Sequence, residues 1–253
     1  MCNRDELLFE FCAENLTHVE RALAAGARRI ELCDNLAVGG TSPCAGVVAQ
    51  APLTTRPFGA SVRVMIRPRG GDFFYTEEEL AMMEAEIFAA AQLGADGVVF
   101  GCLAPQDEGA YTASREAALR AGLLPGAGYT GSWRLDVDAA AELAYAARTS
   151  EPAHGTPLGI TFHMAFDELD ESAQLEAVDL LANLGVDRIL THGGPAGSPI
   201  EGNFERLRRL IAYADGRLTI LPGGGITYQN ARAVADALGA RELHGTKIVN
   251  LSK

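Results

Sequence analysis

Gly26-Ala27-Arg28-Arg29-Ile30-Glu31-Leu32 sets a pattern that returns three times in this chain. It recurs as Gly94-Ala95-Asp96-Gly97-Val98-Val99-Phe100, as Gly185-Val186-Asp187-Arg188-Ile189-Leu190-Thr191, and as Gly239-Ala240-Arg241-Glu242-Leu243-His244-Gly245. Each copy follows a stretch with helical spacing and opens a short apolar run. Glycine suits the left-handed residue that ends a helix. The small and charged residues after it make a turn, and the apolar run reads as a buried strand. Helix, glycine, turn and strand repeated along one chain is the pattern of parallel α/β structure. The copies lie too far apart for one βα unit each, whereas two units per copy fit. They therefore mark alternate strands of a closed (β/α)8 TIM barrel.

The chain has 253 residues, close to the roughly 250 a β/α barrel needs, so one barrel domain over 1–253 is expected. Apolar residues make up 48% and aromatics only 7%, which suits a core of Val, Ile, Leu and Ala. A net charge of −12 argues against nucleic acid and against an anionic membrane surface as partners. The polar start, Met1 to Glu6, does not read as a signal peptide, and no transmembrane run is seen, so a cytoplasmic protein is expected. There are five cysteines, with no CxxC pair; in a reducing compartment they should be free thiols.

The predicted barrel strands are Leu7–Cys12, Arg29–Cys33, Ser61–Ile66, Gly97–Gly101, Gly159–His163, Arg188–Thr191, Arg217–Leu221 and Glu242–Thr246. Thr17 is placed to cap the first helix, and Thr76 with Glu79 forms a capping box for a long helix ending near Gly94. Residues 106–132 read as a surface insertion, helical over Ser114–Ala121. Seven helices are found, and an eighth is short or absent. That leaves an outer face bare beside the last and first strands, so a homo-oligomer, most simply a dimer, is expected to cover it.

Side chains alternate along a strand, and in a barrel the outward face packs on helices. Polar strand residues should then point inward. A lower layer holds Glu10, Glu31 and Arg63, which could be a structural ion network. An upper layer at the C-terminal strand ends, where barrel enzymes keep their sites, holds Cys12, Cys33, Arg67, His163 and His244. His18 and His154 read as surface residues.

Several segments together resemble the CutC family of copper homeostasis proteins. They are Arg29-Ile-Glu-Leu-Cys33, Gly39-Gly-Thr-Ser-Pro43, Met65-Ile-Arg-Pro-Arg-Gly-Gly-Asp72, Asp96-Gly-Val-Val-Phe-Gly-Cys102, Thr161-Phe-His-Met-Ala-Phe-Asp167, Asp187-Arg-Ile-Leu-Thr191 and Leu221-Pro-Gly-Gly-Gly225. They follow the order of strands through the whole chain. The resemblance implies a (β/α)8 barrel, a cytoplasmic location, dimerisation and a role in copper handling. The chain departs from the family pattern at Cys44, where Ser is usual, in the long insertion and in the short tail after Gly245.

Two chemistries follow. Cu(I) favours thiolate and thioether. Cys12 and Cys33 are expected on neighbouring strands at one level, with Met65 one strand further and His163 or His244 near enough to complete a Cu(I) site. The alternative is an enzyme acting on a small phosphorylated or carboxylated metabolite, with copper incidental. Its anion would sit on Gly223, Gly224 and Gly225 at a helix N-terminus, with Arg67 and Arg69 as a clamp and His244 beside them. His163 and Arg67, with Glu10 or Glu31, would then be catalytic. A Schiff-base aldolase needs an inward lysine, and Lys247 points outward by alternation.

Overall fold

A computed structural model describes residues 7–195 and 197–252. Eight strands form one parallel sheet that curls round the barrel axis. They are β1 (Leu8–Glu14), β2 (Arg29–Cys33), β3 (Ser61–Met65), β4 (Gly97–Phe100), β7 (Gly159–Phe162), β8 (Arg188–Thr191), β9 (Thr219–Pro222) and β10 (Glu242–Gly245). The order is β10-β1-β2-β3-β4-β7-β8-β9, which brings the last strand beside the first. Between β9 and β10, Thr227 bridges Lys247 just beyond the strand ends. The four repeated phrases lead into β2, β4, β8 and β10, the second, fourth, sixth and eighth strands of the barrel. Their glycines, Gly26, Gly94, Gly185 and Gly239, all have positive φ, so the repeat is a set of helix stops.

Around the sheet lie α1 (Val19–Ala24), α2 (Ala45–Thr55), α3 (Glu77–Gln92), α5 (Val137–Thr149), α6 (Glu171–Asn183), α7 (Phe204–Ala214) and α8 (Ala231–Leu238). Thr76 and Glu79 form the capping box of α3, and Asp136 and Asp170 cap α5 and α6. Thr17 does not cap α1. The helix starts after His18, which is left-handed at φ 62. The insertion carries α4 (Glu108–Arg120), longer than its sequence pattern showed, and is closed at its base by an antiparallel pair, β5 (Leu103–Pro105) and β6 (Trp133–Leu135). Its far loop leans over the barrel mouth, where the N–H of Asp72 donates to Pro125 O at 3.1 Å.

Alternation divides the interior in two. Ile30, Leu32, Val62, Val64, Val98, Ile160, Phe162, Ile189 and Leu243 pack outward in one large core with the helices. Cys12, Cys33, Met65 and Val99 form a separate cluster inside the barrel. No helix follows β10 among the described residues. The outer face there is nonetheless not bare: Ile248 and Val249 of the tail are buried in the large core, at 1% and 3% exposure. The expected open seam is thus covered in part by the chain itself, with Leu7, Phe9 and Leu251 partly exposed.

Candidate functional site

The barrel floor is a chain of alternating charges. Arg188 Nε donates to Glu242 Oε2 at 2.7 Å, and Arg29 Nη2 donates to the same oxygen at 2.7 Å. Arg29 Nε also donates to Glu10 Oε2. Glu10 Oε1 faces His244 Nδ1 at 2.8 Å, and His244 Nε2 lies 3.6 Å from Glu31 Oε2. Cys33 Sγ ends the chain, 3.6 Å from the same Glu31 oxygen. Cation thus alternates with carboxylate, so each buried charge has an opposite neighbour, as burial demands.

Those neighbours set the ionisation of each group. Burial pushes the Glu10 carboxyl up, but the Arg29 guanidinium and His244 together hold it far below the usual carboxylate range. Burial opposes the charge on His244, yet Glu31, a hydrogen bond with Cys12, and Glu10 keep its pKa well above that of a free imidazole. Glu31 is raised by burial and by Glu10, against the pull of His244. The Cys12 thiol is raised by its hydrogen bond with Cys33, by burial and by Glu31. That bond lowers Cys33, but burial and Glu31 outweigh it and push Cys33 up to about 11.

Above the floor opens a cavity of about 640 Å³ at the C-terminal strand ends, lined by Cys12, Glu31, Met65, Arg67, His163, His192, Gly224, Gly225 and His244 among others. His163 Nδ1 accepts the Ala165 N–H at 3.1 Å. Burial and the nearby Arg67 cation hold this imidazole down at about 3. Arg67 spends its guanidinium on the chain itself, donating to Val38 O, Gly40 O and Gly71 O at 3.0, 2.9 and 2.8 Å, and stacks on Phe73. It pins the two loops that frame the mouth.

Several expected placements differ. Arg63 does not sit between Glu10 and Glu31. Arg29 takes that role toward Glu10, while Arg63 donates to the Asp96 carbonyl. Burial, with Arg188 and Arg29 beside it, lowers Arg63 to about 10. Arg29 lies two residues before Glu31 and so on the same strand face, a signal the sequence did carry. Cys12 and Cys33 are not at one level: in the β1–β2 register Cys12 pairs with Glu31, and Cys33 with Glu14. The slant of the strands still brings the donor atoms of Cys12, Glu31 and Cys33 within 4.8 Å of one another, and those of Glu10, Glu31 and His244 form a second such group. Arg69 is not a clamp over the cavity. It is held by Glu79 at 2.5 Å, by Phe74 O at 2.8 Å and by Asp72 at 3.2 Å. Gly223 is not among the lining residues and donates its N–H to Thr191 O, while Gly224 and Gly225 line the cavity. Because α8 starts only at Ala231, the three glycines are not at a helix N-terminus. His154 is half-buried and its Nε2 lies 2.9 Å from Ala95 O. Cys12, Cys33, Cys44 and Cys102 are free thiols; Cys2 lies outside the described residues.

Two further residues of the mouth are Asp167 and His192. Asp167 accepts from Thr191 Oγ1, from His192 N at 2.8 Å and from Gly193 N at 3.4 Å. His192 sits between the Gly223 carbonyl at 3.1 Å and the Ser198 carbonyl at 3.0 Å. Both residues line the cavity and tie the loop after β8 to the glycine loop after β9.

Fold and site together define a parallel β/α barrel whose C-terminal mouth encloses buried thiols, carboxylates and imidazoles. The chain belongs to the CutC family, whose model matches residues 7–130 and 122–249. A relative from Enterococcus faecalis, named a family protein CutC, is 45% identical over 243 residues, covering 96% of this chain and 100% of its own. A human relative named copper homeostasis protein cutC homolog is 35% identical over 94% of this chain and 72% of its own. A crystal structure of a candidate copper homeostasis protein CutC from Streptococcus agalactiae superposes with a TM-score of 0.79 at 38% identity, covering 96% of this chain and 100% of that one. The deoxyribose phosphate aldolase of Aeropyrum pernix, at TM-score 0.60 and 13% identity over 95% and 86% of the two chains, shares the barrel alone.

Proposed function

We propose that this protein binds Cu(I) as cargo through the thiols of Cys12 and Cys33, with the Met65 thioether as a third donor, in the cytoplasm and as a homodimer. One observation carries the reading. The two sulfurs lie within 4.8 Å of each other, in one cluster with Met65, and Cys12 and Met65 line the cavity. Metal–thiolate bonds of about 2.3 Å, the length found for zinc, span about 4.6 Å between two sulfurs. A soft donor set of this kind suits Cu(I) over hard cations. The second group, Glu10, Glu31 and His244, is already committed to its own ion pairs and offers less to a metal. Because both thiols are protonated, binding releases about two protons, so affinity rises with pH.

The test is an anaerobic Cu(I) titration against a competing chelator, on wild type and on Cys12→Ser/Cys33→Ser. One tightly bound equivalent in wild type, lost in the double variant, is expected. Binding that is weak, or unchanged in the variant, overturns the site as drawn.

A further inference from the structure

A single metal ion would occupy only a small part of a cavity of about 640 Å³, a volume within the range of roughly 300–1,000 Å³ typical of small-molecule sites. Besides Arg67 Nε, two atoms of its buried lining side chains have no protein partner: His163 Nε2 and Glu31 Oε1. These residues are 5% and 2% exposed, and buried polar atoms are rarely left unpaired. Their hydrogen-bonding senses differ. His163 Nδ1 accepts the Ala165 N–H, which puts the ring proton on Nε2 and makes it a donor. Glu31 Oε1 offers lone pairs and accepts.

The cavity's other wall is backbone. Gly224 and Gly225 lie there at φ 78 and 71, and neither N–H donates to a protein acceptor among the described residues. A Cβ on Gly224 would come within 2.8 Å of His192 Nδ1, so the residue must stay bare. Successive free N–H groups in such a turn make an anion-binding concavity. The loop follows the seventh strand of the barrel, a place where this fold commonly holds phosphate. His244 lies directly beneath it, its ring carbon 3.2 Å from where a Cβ of Gly223 would be.

We propose that the cavity binds a small hydroxylated organic anion, its phosphate or carboxylate group on the Gly224 and Gly225 N–H groups and its oxygen-bearing tail between His163 and Glu31. This goes beyond the copper reading and does not need the thiols. The ligand is short, since anion loop and floor share one cavity. It carries at least one acceptor oxygen, for His163, and one hydroxyl donor, for Glu31. His163 Nε2 is a donor in the neutral ring that accepts at Nδ1 and stays one when the ring is protonated.

The experiment is a calorimetric titration of the full metal-free chain with four probes: inorganic phosphate, acetate, glycerol phosphate and glycerate. At least one of the two hydroxylated anions is expected to bind tenfold or more tightly than its bare counterpart, and the pair that does so tells phosphate from carboxylate. His163→Phe, which keeps a flat ring and removes the donor, should weaken that binding at least tenfold. The titration is run without metal, so this proposal stands or falls separately from the Cu(I) titration. In wild type labelled with ¹⁵N-histidine, the His163 Nε2 resonance should shift at saturation, a readout that needs no variant to fold. The proposal is overturned if neither hydroxylated probe outbinds its bare counterpart, or if the His163 resonance stays unmoved by the bound probe.

Discussion

His163 has a clear thermodynamic signature. It is 5% exposed and its imidazole is held neutral to about pH 3 by burial and by the Arg67 cation. In the unfolded chain a histidine takes up a proton below about pH 6.5. Between these values the unfolded state binds a proton that the native state refuses, so its share of stability is complete above about pH 6.5 and falls as the pH drops. The slope for one such group is about 1.4 kcal/mol per pH unit. His163→Gln is therefore expected to lose less stability than wild type between pH 6.5 and 4.5, read from urea unfolding at each pH. Parallel curves for the two proteins would contradict this. His244 has the opposite sign. Its raised pKa contributes stability that is full below about pH 6.5 and is lost as pH rises through the folded value, so the two histidines act in different pH windows. At this scale the sequence was informative about direction. Alternation is local, and it turned Glu10, Glu31, Cys12, Cys33, Met65, His163 and His244 inward. It could not name their partners, because pairing depends on strand register and slant. Glu10 found Arg29 in place of Arg63 for that reason, and Cys12 stands opposite Glu31.

Elements were most legible where their ends carry their own chemistry. The capping box at Thr76 and Glu79 is local hydrogen bonding and formed as read. The first helix depended instead on His18 adopting a left-handed conformation, which no side-chain pattern announces. The insertion hid its antiparallel base because β5 and β6 are three residues each, too short to show a period. The capping box also reaches beyond its helix. Glu79 accepts the Thr76 N–H at 3.0 Å and simultaneously holds Arg69 at 2.5 Å, and Arg69 binds the Phe74 carbonyl. Thr76→Ala removes only a cap and should cost about 1 kcal/mol. Glu79→Ala removes the reciprocal cap and leaves a half-buried guanidinium without its nearest carboxylate, so a larger loss than for Thr76→Ala is expected. Thermal melts of the two variants decide: equal losses would mean the Arg69 contact adds nothing to the cap.

For the whole molecule, the barrel was legible from four repeated phrases, but the way the tail packs beside its last strand was not. Ile248 and Val249 are buried where an eighth helix would lie, while Leu7, Phe9 and Leu251 stay partly exposed. The proposed dimer would use apolar surface that is exposed. Helices α2 and α3 pack against each other, and they expose Leu53, Met82 and Phe88 at 61%, 51% and 45%. Helix α2 has no charged residue from Ala45 to Thr55, and past the exposed Glu77 and Glu78 of its first turn the exposed positions Ala81, Met82, Ala85, Phe88 and Ala89 of α3 carry none either. Two copies of a chain with net charge −12 repel one another, and a charge-free face lets them meet at the least electrostatic cost. A two-fold axis would lay this face against itself. Placing a carboxylate at its centre brings two like charges together across that axis. Phe88→Glu should therefore shift sedimentation from dimer to monomer at micromolar concentration while leaving Cu(I) binding intact, because α3 lies outside the barrel and the thiols inside it. A wild-type chain that sediments as a monomer, or a Phe88→Glu variant that remains dimeric, would rule out this face.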